Sequence, residues 1–294
     1  MKSKHYLLLT AILLLLFPKN MLSQAVVVVD IDKQLFSKYA EQIAPYQSEP
    51  IETILEQTAI FFLGTPYVAG TLDINDEEQL VVNLQGLDCV TFVENVMALS
   101  MATRHNNLSM DYFMEKLTEI RYRNNQVSDY ASRLHYTSDW MFENERKGLL
   151  QNISKELSGI KETKWIDFMS THQSAYKQLA NDKAMQAKIA QQEDIMNSRG
   201  GFYYLPKELI VTQTNDIPHM AIVGFVTAID GLDTTHVGFA YRQKNENGAN
   251  DEHERLTFIH ASTGKMKVVI DTLSLSDYCL SQKNCKGIIV ARVL

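Results

Sequence analysis

The C-terminal third of the chain is divided into short apolar segments by polar turns, and this pattern limits the fold more than any other feature. The interruptions include Asp230-Gly231 and the polar stretch 245–254. Short apolar or alternating runs between such turns predict a meander of antiparallel strands. The predicted strands are Leu209–Thr212, Met220–Ile229, His236–Tyr241, Leu256–Ala261, Lys267–Ile270 and Gly287–Val293.

The part of the chain before this meander has helical patterns instead. Asp88 is a suitable N-cap for a helix whose apolar face recurs at intervals of three and four residues. Ser109 starts a second predicted helix, and residues 174–198 form a third that Gly200-Gly201 ends. Helices followed by strands predict an α+β domain. The face of the first helix consists of Cys89, Phe92, Val93, Val96, Met97 and Ser100.

The amino-acid composition is that of an ordinary globular protein. The 294 residues are 45% hydrophobic and 21% charged, which excludes a disordered or fibrous chain. Because the formal charge is −7 and no long basic run occurs, we expect no nucleic-acid partner.

Lys2 and Lys4 precede the apolar stretch Tyr6–Phe17, and Ser23-Gln24-Ala25 offers small residues for cleavage. Residues 1–24 therefore read as a signal peptide, because the 12-residue apolar stretch is too short for a membrane span of about 20 residues.

Loss of the signal peptide defines the mature protein. The segment 1–24 carries three lysines and no acidic residue, so its removal changes the formal charge from −7 to −10. We expect a protein exported to the periplasm or outside of a bacterium, monomeric and without membrane contact after cleavage. The remaining residues, 25–294, are interpreted as a single catalytic domain with a helical insertion at about 102–207.

Export also changes how the three cysteines are interpreted. Cys279 and Cys285 lie close together and are expected to form a disulfide in an oxidising compartment. Cys89 is then left over, either as a reactive thiol or as a small buried apolar residue. Its position in the first turn of a helix favours a thiolate, because unpaired N–H groups and the helix dipole point there.

Two histidines on neighbouring predicted strands are candidates to act with this thiol. A hairpin symmetric about Gly248 would place His236 directly opposite His260 on one sheet face. A thiol nucleophile needs a base within reach and a third group to orient that base. The alternatives are half-buried structural histidines, or a zinc site built from the cysteine and both histidines, although the spacing matches zinc motifs poorly.

Four short motifs occur in an order that resembles a known superfamily. The series resembles the motifs of the NlpC-like cell-wall cysteine peptidases, and residues 88–94, Asp-Cys-Val-Thr-Phe-Val-Glu, are most similar to their N-acetylmuramoyl-L-alanine amidase-like branch. Commoner members carry Asp-Cys-Ser-Gly at this point. The motifs are Gly64-Thr65-Pro66-Tyr67, Asp88-Cys89, His236-Val237-Gly238-Phe239 and Ile259-His260-Ala261-Ser262.

The resemblance implies a papain-like, NlpC-type α+β fold in which the nucleophile helix packs on an antiparallel sheet. It implies Cys89 as the nucleophile, His236 as the base and His260 as the orienting group, with no metal or cofactor. It also implies that Tyr67 and Asp88 lie near the active site. The implied substrate is an amide of peptidoglycan.

The distance between Cys89 and His236 exceeds that in common members, so the insertion is expected to form a wall of the substrate cleft. Within it, Arg133, Tyr136 and Trp140 are candidates for substrate contact. The aromatic rings would stack on a sugar, and the guanidinium would bind a carboxylate of the stem peptide. The alternative is a capped helix end with packed aromatic residues.

The resemblance of residues 88–94 to the amidase-like branch implies a thiol amidase that cuts between N-acetylmuramic acid and L-Ala in peptidoglycan-derived muropeptides. One alternative is an endopeptidase that cuts the γ-D-glutamyl-diamino acid bond of the stem peptide. Another is a non-catalytic wall-binding module, and a zinc hydrolase is the last.

Overall fold

One antiparallel sheet organises the molecule, and its strands come mainly from the C-terminal third of the chain. The computed structural model describes residues 26–243 and 255–294. The signal peptide 1–24 and the connection around Gly248 were both predicted from sequence, and both lie outside the described residues. Within the described part, the strands lie in the order 160–162, 202–206, 285–293, 222–227, 234–243, 255–262 and 267–270, and the strand 150–152 also pairs with 285–293.

The helices and strands have the following bounds. The α-helices are α1 (Asp30–Ile43), α2 (Ile51–Phe61), α3 (Cys89–Arg104), α4 (Met110–Arg121), α5 (Thr137–Arg146), α6 (Phe168–Thr171), α7 (Lys183–Ser198) and α8 (Leu275–Ser281). The strands are β1 (Val26–Val27), β2 (Leu80–Val81), β3 (Leu150–Asn152), β4 (Ile160–Glu162), β5 (Phe202–Pro206), β6 (Ile222–Thr227), β7 (Thr234–Gln243), β8 (Arg255–Ser262), β9 (Lys267–Ile270) and β10 (Cys285–Val293). The pair β1 and β2 forms a separate parallel ribbon.

The helices α3 and α4 begin where their caps predict. Asp88 caps α3, and Ser109 caps α4 by accepting a hydrogen bond from the Tyr112 amide. The third predicted helix is shorter than expected: α7 begins at Lys183 after the Asp182 cap, whereas 174–182 contains a 3-10 turn. The cap, rather than the Ala- and Gln-rich composition, determines where α7 starts.

The strand predicted at Leu209–Thr212 is wrong, because this segment lies in a 3-10 helix, Lys207–Gln213. Only Ile210 of that helix is buried. A run of β-branched and apolar residues favours a strand only where its side chains find neighbours on both faces of a sheet. Here the chain leaves the sheet after Pro206, so the residues that follow have no neighbouring strand to pair with. Their strand propensity therefore does not decide their conformation.

The insertion 102–207, which the sequence predicts to be mostly helical, also contains three short strands. It contributes β3 and β5, which both pair with β10, and β4, which pairs with β5. The insertion is therefore built into the edge of the main sheet and continues the domain.

The two faces of the sheet carry separate apolar cores. Residues alternate along β7, so Phe239 points to the core that α3 covers, and Ala240 points to the other core. The rings of Phe92 on α3 and Phe239 on β7 have centroids 5.9 Å apart. Because α3 lies between the sheet and the helices α2 and α4, it is buried on nearly every side.

A buried ion pair attaches α4 to α3. Arg121 donates from Nε to Glu94 at 2.7 Å and from Nη1 to the Val81 carbonyl at 2.8 Å. Both charged side chains are almost fully buried. The additional hydrogen bond to the Val81 carbonyl helps to offset the loss of hydration of the buried charges. Removal of either partner would leave an uncompensated buried charge and destabilise the fold.

The register of β7 and β8 differs from the sequence prediction. Phe239 pairs with Ile259, whereas symmetry about Gly248 would have placed His236 opposite His260. The strands are shifted by two residues, so the two histidines are diagonal neighbours rather than directly opposed. A shift of two leaves both side chains on the same face, since the side-chain period of a strand is two.

The structure pairs Cys279 of α8 with Cys285 of β10 in a disulfide whose Cα atoms are 5.6 Å apart. This bond attaches α8 to the strand in the middle of the sheet. Across residues 26–243 and 255–294, none of the helices combines the length and apolar character required to span a bilayer.

Candidate active site

The thiol of Cys89 lies at the first residue of α3, where a capping box fixes the backbone. The Asp88 carboxylate accepts a hydrogen bond from the Thr91 amide at 2.8 Å, and Thr91 Oγ1 accepts one from the Asp88 amide at 2.9 Å. This reciprocal pair uses two of the N–H groups that a helix start leaves unpaired. The remaining N–H groups of the first turn stay directed at the thiol side.

The surroundings of Cys89 hold it as a neutral thiol. Burial raises its pKa to about 12, and the Asp88 charge acts in the same direction. The backbone N–H groups of Val237, Cys89 and Val90 oppose this shift by hydrogen bonding to the sulfur. The Val237 contact places β7 directly beside the thiol, at the residue that follows His236.

A chain of hydrogen bonds leads from His236 to an acidic residue. His236 Nε2 lies 2.6 Å from His260 Nδ1, and His260 Nε2 lies 3.2 Å from Asp271 Oδ2. An ionised carboxylate only accepts hydrogen bonds, so His260 donates from Nε2 and accepts at Nδ1. His236 then carries its proton on Nε2, which leaves the Nδ1 lone pair free to accept a proton.

Both imidazoles are neutral near pH 7. Burial, reinforced by the charge of His260, lowers the pKa of His236 to about 3. Burial lowers the pKa of His260 to about 4, although Asp271 opposes the shift. The position of Cys89 in the first turn of a helix favours a thiolate, but these shifts favour a neutral thiol–imidazole pair over a thiolate–imidazolium ion pair, because burial outweighs the helix start.

Gly238 makes the diagonal contact between the histidines possible. A Cβ at this position would lie 2.8 Å from the Ile259 carbonyl oxygen and 3.0 Å from the Cβ of His260. Any larger residue would push β8 away from β7 at the point where the two imidazoles meet. The glycine is required by close approach rather than by its backbone angles.

Three aromatic side chains enclose the histidine pair, and we call them the aromatic box: Phe225 of β6, Phe258 of β8 and Tyr278 of α8. Phe258 lies 4.1 Å from the His260 ring, between centroids, and Phe225 lies 5.9 Å from the His236 ring. Sequence reasoning missed Tyr278 and Asp271. The signal for Asp271 was its position directly after β9, the strand that pairs with the one carrying His260.

A cleft opens above the thiol, and the insertion supplies one of its walls. Cys89 and His236 line it together with Arg133 and Tyr136. His260 lies behind His236 and does not line the cleft. The lining residues that belong to the insertion are Tyr130, Arg133, Leu134, His135, Tyr136, Thr137, Met169 and Tyr176.

Comparison with known families gives the context of this site. Residues 57–288 match the family described as AmiA-like, N-acetylmuramoyl-L-alanine amidase-like. The chain belongs to this family. The match spans all the residues of the site described above, from Cys89 to Tyr278.

Solved structures agree with the family. A crystal structure of an N-acetylmuramoyl-L-alanine amidase from Bacteroides uniformis is 34% identical, with a TM-score of 0.75 over 83% of this chain and 99% of that one. A Bacteroides fragilis protein provisionally described as a xylanase is also 34% identical, with a TM-score of 0.73 over 80% and 99%. A Legionella pneumophila protein, 24% identical with a TM-score of 0.66 over 90% and 96%, shares the fold. No functionally curated protein matches the chain.

In this amidase-like chain, the predicted contact residue Arg133 is already neutralised. It forms ion pairs with Asp73 at 2.5 Å and with Glu78 at 3.5 Å, and its guanidinium lies over the Tyr130 ring. The sequence prediction was that Arg133 is an unpaired positive group that binds a carboxylate of the stem peptide. Because it is ion-paired with two carboxylates, its guanidinium offers N–H groups to a ligand, but the cluster carries little net positive charge.

The side chain of Trp140 is packed in the apolar core, whereas the sequence prediction placed it against a ligand. It is 4% exposed and belongs to the core that α3 covers. As the fourth residue of α5, it points inward, so the alternative of a packed aromatic residue is correct.

The remaining predicted contact residues lie at or beside the cleft of the amidase-like site. The ring of Tyr136 lines it, while its hydroxyl donates to Glu193 at 2.7 Å and accepts from the Met169 amide. Tyr67 lies close enough to the thiol that burial and the charges of Cys89 and Asp88 raise its pKa to about 12. Within the described ranges, no three His, Cys, Asp or Glu side chains are grouped to hold a metal ion.

Proposed function

We propose that this chain is a cysteine amidase that hydrolyses the amide between N-acetylmuramic acid and L-Ala in peptidoglycan fragments. The observation that carries the proposal is the hydrogen-bonded series Asp271–His260–His236, which ends at a residue that lines the same open cleft as Cys89, the first residue of α3. This arrangement supports an NlpC-type, papain-like site. A purely structural pair of histidines would not need to share a cleft with a cysteine at a helix start.

The chemistry follows from the tautomers. His236 Nδ1 takes the proton of Cys89 as the sulfur attacks the amide carbonyl carbon. The N–H group of Cys89 at the start of α3 stabilises the oxyanion. His236 returns the proton to the leaving amine, and water then hydrolyses the thioester with the same histidine as base.

The identity of the substrate rests on the family and on the Bacteroides uniformis amidase. Of the predicted contacts, Tyr67, Asp88, Arg133 and Tyr136 remain candidates around the thiol. We further propose that the protein acts after export, as a monomer, on soluble muropeptides. The Cys279–Cys285 disulfide supports an oxidising compartment, where such bonds persist.

The test offers the mature protein a sugar-tetrapeptide and the free tetrapeptide side by side, with products read by mass spectrometry. We expect free sugar and intact tetrapeptide from the first and no reaction with the second. Cys89→Ala should lower turnover by more than about 10⁴-fold, because it removes the nucleophile. His236→Ala should cost about 10²- to 10⁴-fold, and His260→Ala less, because it only orients the base.

Each alternative has its own result. Cleavage of the free tetrapeptide, or release of a sugar that still carries L-Ala-D-Glu, identifies an endopeptidase. Turnover that a chelator abolishes and that iodoacetamide leaves intact identifies a metal-dependent hydrolase. Binding of the fragment without turnover identifies a wall-binding module.

A further inference from the structure

The part of the aromatic box that does not belong to the sheet is Tyr278. Phe225 and Phe258 stand on neighbouring parts of the sheet, and their positions follow from its hydrogen bonds. Tyr278 comes from α8, a short helix that lies beside the sheet. Its position therefore depends on what holds α8.

The ring of Tyr278 lies close to both histidines and to the other two members of the aromatic box. Its ring centroid lies 5.8 Å from that of His260 and 6.2 Å from that of His236. It also lies 4.5 Å from the Phe258 ring and 4.9 Å from the Phe225 ring. The ring thus closes the side of the box that the sheet leaves open.

The residue after Tyr278 fastens the helix. Cys279 is fully buried and bonded to Cys285, the first residue of β10. Because β10 runs through the middle of the sheet, the disulfide ties the Tyr278 backbone to the same framework that carries both histidines. A seven-residue helix has little stability of its own, so this tie matters for where the ring lies.

We propose that Tyr278 is a positioning residue, held in place by the Cys279–Cys285 disulfide, that keeps the His236–His260 pair dry and aligned with Cys89. This inference rests on the proposed function for its catalytic meaning. Apolar walls around an imidazole disfavour its charged form, so they keep Nδ1 of His236 available as a base. The walls also restrict rotation of both rings, which preserves the hydrogen bond between them.

Other ionisable groups surround the pair and remain in place when Tyr278 is changed. Asp271, in the segment after β9, accepts a hydrogen bond from His260 and acts on that ring directly. Cys89 of α3 acts on Tyr278 and on Tyr67, and Asp88, in the loop before α3, acts on Cys89.

The test is an NMR titration of the His236 and His260 rings in the mature protein, with the pH profile of kcat/KM measured in parallel. Tyr278→Ala opens the box to water, so we expect both histidine pKa values to rise by about one pH unit or more. The acid limb of the profile should move to higher pH by a similar amount, and kcat should fall more than KM changes. Tyr278→Phe keeps the ring and should leave the acid limb in place.

Leu280→Ala is the matched control, because this neighbour on α8 is 53% exposed and does not belong to the box. The double variant Cys279→Ser/Cys285→Ser keeps every box residue but releases α8. It should shift both pKa values in the same direction as Tyr278→Ala, and it provides the test if Tyr278→Ala does not fold.

The proposal is overturned if neither Tyr278→Ala nor the double serine variant moves the histidine titrations. Failure of the two proposals is distinguishable. A fully active Cys89→Ala variant removes the cysteine mechanism but leaves the titration result standing. Unchanged titrations together with an inactive Cys89→Ala variant remove the role of Tyr278 and leave the mechanism standing.

Discussion

At the scale of single residues, the site depends on proton positions that hydrogen bonds assign. Asp271 directs the proton of His260, and His260 directs that of His236. The nitrogen that this hydrogen-bonded series leaves free, Nδ1, belongs to His236, which lines the same cleft as Cys89. The tautomer of His236 is therefore set by the whole hydrogen-bonded series, because the tautomer of each ring depends on the partner that follows it.

The resting state of the thiol gives the first prediction at this scale. With the pKa of Cys89 raised to about 12 and that of His236 lowered to about 3, iodoacetamide should alkylate the free enzyme slowly at pH 7. The rate should rise continuously through pH 9, since only the thiolate reacts. The rate of alkylation is measured by mass spectrometry of the modified protein over time at each pH.

The blank for this experiment is Cys89→Ala, whose remaining cysteines are paired. A fast rate that is constant from pH 5 to 8 would contradict the neutral pair, because a thiolate–imidazolium pair keeps its thiolate over that range.

At the scale of secondary-structure elements, the start of α3 combines two tasks at one residue. The Asp88 carboxylate caps the helix, and its charge raises the pKa of the neighbouring thiol. Capping stabilises the fold, while the charge works against thiolate formation. Asparagine retains an acceptor for the cap and removes the charge, so substitution separates the two tasks.

Two substitutions of Asp88 test this separation. Asp88→Ala should lower the free energy of unfolding by about 1 kcal/mol, and Asp88→Asn should stay close to the parent protein. Urea denaturation followed by circular dichroism provides the comparison. Asp88→Asn should also speed alkylation of Cys89 at pH 8. Equal stability losses in both variants would mean that the charge, rather than the cap, holds α3 in place.

At the scale of the whole molecule, burial of neutral histidines couples stability to pH. Burial and the Arg133 charge lower the pKa of His135 to about 3, well below the usual value of about 6.5 in an unfolded chain. Between these values the unfolded state binds more protons than the folded state, so stability falls as the pH falls. His236 and His260 contribute in the same direction.

The variant His135→Gln isolates one of these contributions. Unfolding free energies from urea titrations at pH 7, 6 and 5 should fall less steeply in the variant than in the parent protein. The difference should approach about 1.4 kcal/mol per pH unit below pH 6.5, since one fewer histidine takes up a proton on unfolding. Parallel slopes would show that His135 is not held neutral in the folded protein.

Much of this architecture could be predicted from local signals. Asp88 and Ser109 act over one helical turn, so their caps predict the starts of α3 and α4. Turn residues and apolar runs similarly predict most strands of the meander. The run Leu209–Thr212 shows where such reasoning fails, because its β propensity is real and the sheet has no place for it.

The sequence by itself determined that a thiol starts a helix, that two histidines share one sheet face, and that helices precede an antiparallel sheet. These features depend on spacings of two, three and four residues, which are the periods of strand and helix. The tertiary structure decided the register of β7 against β8, the ion pairs of Arg133, the burial of Trp140 and the contacts of the histidines with Asp271 and Tyr278. Each of these depends on contacts between residues distant in the chain, and no local period records such contacts.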